Sequence, residues 1–375
     1  MRLILLMQFV MCLATAGAQS LWDPSHLAYA KAHAQQPMLA AAISRLVGDA
    51  DQALLAAAPS VMQKQTTAVS GDRHDYTSLS RYFWPDPTKP DGLPYVNRDG
   101  LSNPELDKYD RNRLSEMTSA VTTLSLAWYF TDREAYAQKA TELLRTWFLN
   151  RATRMTPHLR YAQMVPGVND GRGRCYGLID SYSFVEMLSA VKLLEQSKAF
   201  TRRDAQQLKA WFAQLLQWML TSEQGIEESR QANNHSVAYD VQLLSYALYT
   251  GNQQVARQLT DSFPSRRLQQ QIAPMAVSPM SCGARWPLAI PNIICSTAST
   301  SVSWLDRPRP CRRSLLWRKP PTTWRSIWAR TCRHGLISKS ATGRASSRNC
   351  AATSTACGCS MGSAKTIDGW LTSIW

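Results

Sequence analysis

Two asparagines and a histidine stand side by side as Asn233, Asn234 and His235, and Ser236 follows them. Amide side chains are costly to bury unless several hydrogen-bond partners surround them, so this set favours a polar site. One chemistry suits it. An amide that donates to a carboxylate stabilises the charge left when the adjacent carbon loses a proton, and the imidazole accepts that proton. A helix cap with a structural histidine explains the same residues equally well.

A second cluster lies in the long segment from His74 to Asp110, which is rich in Pro, Gly, Asp and Asn and contains Tyr82 and Trp84. Aromatic rings on a polar loop suit the flat apolar faces of sugars, while neighbouring Arg and Asn side chains suit carboxylates and hydroxyls. We therefore expect Tyr82 and Trp84 to bind substrate. The alternative is a surface loop packed by its own aromatic side chains.

A third cluster lies in the segment 155–177, where turn residues expose Asn169 and Arg172. Both long segments exceed ordinary connections, which indicates functional loops. We expect Asn169 and Arg172 to contact substrate, together with Tyr239, which follows the Asn-Asn-His set. The Gly-x-Gly at 171–173 is not interpreted as a dinucleotide motif, because no strand is predicted before it.

The elements that must position these residues are helices. Apolar residues recur three and four positions apart, which marks one apolar face per helix. Thr201 before Asp204 and Thr131 before Glu134 fit capping boxes. The pattern predicts an all-α fold, an (α/α) toroid of antiparallel helical hairpins, although an irregular helical bundle fits it too. The predicted helices are Leu27–Ala58 with a break at Pro37, Leu114–Phe130, Glu134–Leu149, Phe184–Leu194, Leu208–Leu220, Val241–Tyr249 and Val255–Phe263.

The first eighteen residues read as a secretory signal peptide. A basic start at Arg2 precedes an apolar run, and the small residues Ala16, Gly17 and Ala18 form a cleavage site. The run is too short to cross a bilayer. We expect residues 19–274 to form the exported domain, periplasmic or secreted, with no membrane insertion after cleavage.

Residues 275–375 differ in composition from the rest of the chain. This tail holds fourteen Lys or Arg residues against Asp306 and Asp368, and seven of the nine cysteines. It therefore supplies most of the formal net charge of +15. A basic excess confined to one atypical segment is poor evidence for a nucleic-acid partner, so none is predicted. The composition is typical of a coding frame read one nucleotide out of step, and an irregular tail that leaves the toroid incomplete is expected.

Three motifs together resemble the alginate lyase superfamily of polysaccharide lyases over about residues 21–274. They are Ser-Gly-Asp-Arg-His-Asp-Tyr at 70–76, Tyr-Phe-Trp-Pro-Asp-Pro at 82–87, and Asn-Asn-His at 233–235. The resemblance implies an (α/α) toroid and β-elimination of 1,4-linked uronates, an acidic polysaccharide partner. It assigns carboxylate neutralisation to Asn234 and the base, or its assistant, to His235. The family mechanism needs no metal or other cofactor, and none of the six histidines forms an HExxH pair.

The family's next motif, with an Arg that holds the carboxylate and a Tyr that protonates the leaving oxygen, is expected after Pro274. Here Met275 begins the atypical tail instead, and a one-nucleotide shift permits most of the missing motif. The chain then keeps half of a catalytic set, and groups that act as a unit lose most activity when one is removed. A polysaccharide lyase with impaired activity is predicted, and a non-catalytic remnant that binds acidic glycans is the alternative.

Overall fold

Helices account for most of the computed structural model, which describes residues 22–271, all within one compact unit. The predicted signal peptide and the tail from residue 275 lie outside the described residues. The chain begins with α1, Pro24–Ala32, and α2, Pro37–Leu55. Pro37 is the first residue of α2, where its missing N–H leaves no helical hydrogen bond unmade. The predicted break at Pro37 is confirmed.

Helix α3, Arg111–Thr131, packs against α2, against α4 (Glu134–Leu144) and against α5 (Phe184–Leu194). A π-helical turn, Arg145–Leu149, extends α4. The predicted capping box at Thr131 is wrong. Arg133 occupies the cap position of α4 without a side-chain hydrogen bond, and the Thr131 hydroxyl donates to the carbonyl of Ala127 within α3.

The second half of the described chain stacks α6, Arg202–Thr221, on α8, Asn234–Thr250, and α8 on α9, Gln253–Phe263. Thr201 and Asp204 form the predicted capping box at the start of α6. Aromatic rings fill the space between α4, α5, α6 and α8, in edge-on or tilted contacts that rings prefer. They are Phe148, Phe184, Trp211, Phe212, Tyr246 and Tyr249.

The sequence pattern did not predict α7, Glu223–Ser229, a short polar helix between α6 and α8. The only sequence feature that indicates this helix is its cap residue, Ser222, whose hydroxyl accepts from the backbone amide of Gly225. Helix α8 also begins seven residues earlier than the periodicity indicated, because its first turn is polar. Asn234 is its first residue, so the Asn-Asn-His set lies at a helix start, as expected.

The two long segments pair with each other. Strand β1, Thr77–Leu79, runs parallel to β4, Tyr161–Met164, with Thr77 opposite Tyr161. Within the first segment, β2 (Phe83–Trp84) is antiparallel to β3 (Val96–Asn97). Strand β4 therefore does precede the Gly-x-Gly at 171–173. The element that follows β4 is the turn Asn169–Gly171 and not a phosphate-binding helix. Further short 3-10 turns are Val61–Gln63, Pro104–Lys108 and Cys175–Ser183.

The last described turns, Pro264–Leu268 and Gln269–Gln271 (α10), are fastened to α8. Arg267 binds both carboxylate oxygens of Asp240, at 2.7 and 2.9 Å, and the Gln271 amide donates to the Ser236 hydroxyl at 2.8 Å. The described chain thus ends against the first turn of α8. The all-α class is confirmed, with a helical arrangement consistent with the toroid. Among the described helices, none combines the length and apolar run needed to cross a bilayer.

Candidate functional site

The first turn of α8 divides the Asn-Asn-His set into a cap and a reactive pair. The side-chain oxygen Oδ1 of Asn233 accepts from the backbone amide of His235 at 3.0 Å, so Asn233 is the helix cap. Asn234 and His235 follow within the first turn, where the helix dipole favours negative charge. The Asn234 side chain is 8% exposed, and no described residue hydrogen-bonds its amide. The cap interpretation is therefore confirmed for Asn233, and the chemical interpretation stays a prediction for Asn234 and His235.

A buried carboxylate orients the histidine. Oε1 of Glu228, in α7, lies 2.8 Å from Nδ1 of His235, and Glu228 is 1% exposed. Its other oxygen, Oε2, is buried without a partner among the described residues. An ionised carboxylate only accepts hydrogen bonds. With Glu228 ionised, the hydrogen-bond donor is therefore the Nδ1–H group of His235. The lone pair of the neutral ring is then on Nε2, where a base needs it.

Glu228 also affects the pKa of Cys175. Burial, followed by the charges of Glu228 and Glu227, raises the pKa of Cys175 far above its usual value. The Cys175 thiol is buried and stays protonated, so it is no nucleophile. No sequence pattern pointed to Glu228, because the pair joins two helices across a turn.

Tyr176 lies beside the imidazole, and Arg174 lies beside Tyr176. The ring centroids of Tyr176 and His235 are 5.0 Å apart in an edge-on contact. The guanidinium of Arg174 lies 5.2 Å from the Tyr176 ring and 4.9 Å from the Phe83 ring. Phe83 belongs to β2, so this stack brings the aromatic loop to the same side of the molecule as His235. The sequence interpretation did not include either Arg174 or Tyr176.

The predicted aromatic residues remain accessible at the protein surface. Tyr82 is 37% exposed. Trp84 is half-buried, donates from Nε1 to the carbonyl of Leu101 at 2.9 Å, and has the Arg98 guanidinium 5.8 Å from its ring. Both residues flank Phe83, which the Arg174 stack joins to Tyr176. The structure therefore links the aromatic loop to His235 through two intermediate residues, Arg174 and Tyr176.

Asn169 and Arg172 lie on a turn next to the same loop. Asn169 and Asp170 have positive φ values of 51° and 50°, and the backbone amide of Arg172 donates to the carbonyl of Asn169. Both side chains are exposed. Within residues 22–271, no hydrogen bond or ion pair joins either side chain to α8. The structure thus leaves them available to a ligand but does not bring them to His235.

Tyr239 occupies a different environment from the one expected. It is 4% exposed, and its hydroxyl donates to the carbonyl of Met219 at 2.8 Å. Burial, reinforced by the charge of Asp240, raises its pKa well above the usual value. The side chain therefore packs α8 against the end of α6, and its hydroxyl faces protein rather than solvent.

In the part of the chain that the structure describes, no three His, Cys, Asp or Glu side chains are grouped so that they could hold a metal ion. The ionisable groups near His235 are used otherwise. Glu228 binds the imidazole, and Asp240 binds Arg267.

Comparisons with known proteins identify the family and a similar solved structure. The model of the family described as alginate lyase matches residues 60–276. The crystal structure of an alginate lyase from Bacteroides ovatus is similar to this chain, with a TM-score of 0.73 and 50% sequence identity. That similarity covers 76% of this chain and 77% of that one. The comparison with curated proteins gave no match.

Proposed function

This chain belongs to the alginate lyase family, and from that membership we propose that it cleaves 1,4-linked polyuronates of the alginate or glucuronan class by β-elimination. Membership makes the chain a polysaccharide lyase. The observation that supports the finer proposal is the Glu228–His235 hydrogen bond, which leaves Nε2 as a base beside Asn234, whose amide no described residue hydrogen-bonds.

The proposed reaction needs three events at one sugar. The carbon next to the carboxylate loses its proton, a carbon–carbon double bond forms, and the bond to the glycosidic oxygen breaks. Asn234 donates to the carboxylate and stabilises the developing charge. Nε2 of His235 takes the proton. The Nδ1–H group of His235 keeps its hydrogen bond to Glu228 throughout. The departing oxygen takes a proton from water.

We propose that turnover is impaired, because the Arg and Tyr expected after Pro274 are missing. The last described residue, Gln271, bonds to Ser236 beside His235, so an in-frame continuation would start at the site. Two observations support an out-of-frame tail. Its composition changes at Met275, and the family match ends at residue 276. Sequencing the genomic codons around Pro274 tests the proposed frame shift. A genomic sequence that confirms the present reading frame, together with related genes that share it, would contradict the frame shift.

The decisive assay follows the ultraviolet absorbance of unsaturated uronate ends during incubation with alginate or glucuronan. The full chain should produce a slow rise that the His235→Gln variant abolishes. A chain with the frame restored after Pro274 should be faster by about a hundredfold or more, because a lost charge-stabilising donor costs that much. An equally slow rise in the His235→Gln variant would remove His235 from the reaction.

The second candidate function is glycan binding without cleavage. It is supported by the surface of Tyr82, Trp84 and Phe83, which lies in the described part and does not depend on the tail. Oligouronate binding with no absorbance change in either form of the chain would favour this candidate. If only the frame-restored chain cleaves the polymer, the present chain is a remnant that binds glycans without cleaving them.

We further propose that the protein is exported. The support is the apolar run and small-residue site that precede Gln19. The amino-terminal sequence of protein recovered from a periplasmic or culture fraction should begin near Gln19. A start at Met1 in the cytoplasmic fraction would contradict export.

A further inference from the structure

We propose that Arg174 and Tyr176 form a subsite for the carboxylate of a second uronate, adjacent in the polymer to the sugar that reacts at His235. The inference rests on the proposed function, because it assigns a further contact to the same polyuronate. The evidence is the charge, the free donors and the fixed position of Arg174.

The Arg174 guanidinium has no acidic partner in the described part of the chain. Its Nη2 donates to the Ser80 hydroxyl at 2.9 Å and its Nε to the carbonyl of Gln163 at 3.4 Å, both neutral acceptors. Burial is the largest influence on the pKa of Arg174 and lowers it, while the carboxylate of Glu227 opposes this. Glu227 makes no ion pair with Arg174 among the described residues. A half-buried cation without a counterion attracts an anionic ligand.

The surroundings add positive charge. Arg111 lies close enough to lower the pKa of Arg81, whose largest influence is burial. The carboxylate of Asp180 is already engaged by Arg111 at 3.0 Å, by Tyr76, by Ser78 and by Gln163. The guanidinium groups of Arg81 and Arg111 thus share one carboxylate, that of Asp180. The excess favours an acidic polymer over a neutral one.

Free donors remain on Arg174. A guanidinium carries five N–H groups, and the hydrogen bonds described here engage only Nε and one N–H of Nη2. Nη1 and the second N–H of Nη2 form the planar pair of donors that binds a carboxylate with two parallel hydrogen bonds. The rings of Phe83 and Tyr176 flank the group and hold it in place.

The backbone that carries both side chains is fixed by two glycines. A Cβ on Gly173 or on Gly177 would collide with the backbone carbonyl oxygen of Ala162 in β4. The segment Gly173–Gly177 therefore lies directly on the strand, and its side chains are positioned before any ligand arrives. Prior ordering reduces the entropy lost on binding. This accounts for the glycines of the third sequence cluster, which serve no dinucleotide.

The spacing fits consecutive sugars. Tyr176 contacts both the His235 ring and the Arg174 guanidinium, with centres 5.0 and 5.2 Å away. Because the base and the cation lie against the same ring, the cation is within reach of a sugar next to the one that reacts. We therefore place the reacting uronate at His235 and its neighbour at Arg174.

The test measures binding of a tetramannuronate, and of the same tetrasaccharide with its carboxylates reduced to alcohols, by calorimetry at low salt. The full chain should bind the uronate more tightly than the reduced sugar. Arg174→Gln should weaken uronate binding by about ten- to a hundredfold, the value of a charge-assisted hydrogen bond, and leave the reduced sugar unaffected. Arg174→Lys, which keeps the charge but not the fork, should lose less.

The matched control is Arg203→Gln, which removes one positive charge from an exposed position on α6. It should bind both sugars as the unmodified chain does. Equal losses for Arg174→Gln and Arg203→Gln, or equal losses for both sugars, would overturn the subsite. Circular dichroism confirms that each variant is folded, and Arg174→Lys carries the test if Arg174→Gln is not. No uronate binding by the full chain would reject the proposed function as well, whereas binding without cleavage leaves the subsite standing.

Discussion

The carboxylate of Glu228 and the imidazole of His235 are joined at 2.8 Å across the junction of α7 and α8, seven residues apart. The carboxylate is buried and its second oxygen has no partner among the described residues. This carboxylate therefore has one evident task, to hold the ring and fix the nitrogen that carries the proton. We regard Glu228 as a positioning residue for His235.

The tautomer of His235 should respond to Glu228. In Glu228→Gln the amide oxygen still accepts from Nδ1, so the Nδ1–H form should persist at mildly alkaline pH. In Glu228→Leu it should give way to a mixture with Nε2–H. Nitrogen-15 correlation spectra of the imidazoles show the difference, with the His235→Gln variant as the assignment control. Any cleavage rate should fall about ten- to a hundredfold in the leucine variant. Identical spectra for all forms would refute the positioning role.

Asp204 should make the fold acid-sensitive. Burial alone would raise its pKa, but hydrogen bonds from Arg145 and Thr201 outweigh burial and lower the pKa to about 2. An acid with a lowered folded pKa contributes stability above its unfolded pKa of about 4, and this is lost as the pH falls towards 2. Asp204→Asn should cost about 1–2 kcal/mol of unfolding free energy at neutral pH.

Urea unfolding at a series of pH values measures this contribution. The difference between the unmodified chain and Asp204→Asn should shrink as the pH falls from about 4 to about 2. Asp49→Asn, at an exposed position of α2, is the control and should behave as the unmodified chain. A difference that is constant across this pH range would show that the Asp204 charge is unimportant.

Two glycine-to-alanine variants should have opposite effects. Gly173→Ala places a methyl group against the carbonyl of Ala162, and the required shift should cost about 1–3 kcal/mol. Gly48 lies within α2 with no atom within 4 Å of an added Cβ. Gly48→Ala should therefore stabilise the protein by about 0.5–1 kcal/mol, because alanine loses less backbone freedom in a helix. Thermal unfolding measures both, and a stabilising Gly173→Ala would contradict the close approach to β4.

The buried pair of Lys64 and Asp110 should dominate the stability of the first long loop. Both side chains are fully buried, with Nζ 3.1 Å from Oδ2, and Nζ also donates to the carbonyls of Val61 and Arg73. Lys64→Met should cost about 3–5 kcal/mol, because it leaves a buried carboxylate unpaired.

The double variant Lys64→Met with Asp110→Asn should recover part of that loss, because no buried charge remains. Lys108→Met is the matched control, since it breaks an exposed pair with Glu105 and should cost less than about 1 kcal/mol. Chemical denaturation measures all three. A Lys64→Met variant as stable as Lys108→Met would contradict the importance of the buried pair.

Several helices could be predicted from the sequence pattern. The helices from Leu114, Phe184 and Leu208 were predicted because each apolar face repeats within one segment. The Asn-Asn-His set lies at the start of α8, which agrees with the helix-cap interpretation of these residues. The start of α8 itself was missed, because its first turn has no apolar spacing to detect.

The rest depends on partners far apart in sequence. Strand β1 joins β4 across the gap between Thr77 and Tyr161, and no local pattern encodes that pairing. Tyr239 follows His235 by one helical turn, and only the packing of α6 decides that its hydroxyl meets Met219. Glu227 and Glu228 are adjacent acids in the sequence, and the approach of α7 to α8 selects Glu228 to hold the imidazole.

The sequence by itself determined the helical class, the family and the change of composition at Met275, and it predicted Asn234 and His235 as the reactive pair, since each is written in residue types and short spacings. Tertiary structure alone decided which asparagine is the cap, which acid contacts His235 and which arginine has no acidic partner among residues 22–271. The physical reason is that burial and charge pairing depend on distance in space. Two side chains a hundred residues apart, such as Tyr76 and Asp180, can share one hydrogen bond that no local pattern records.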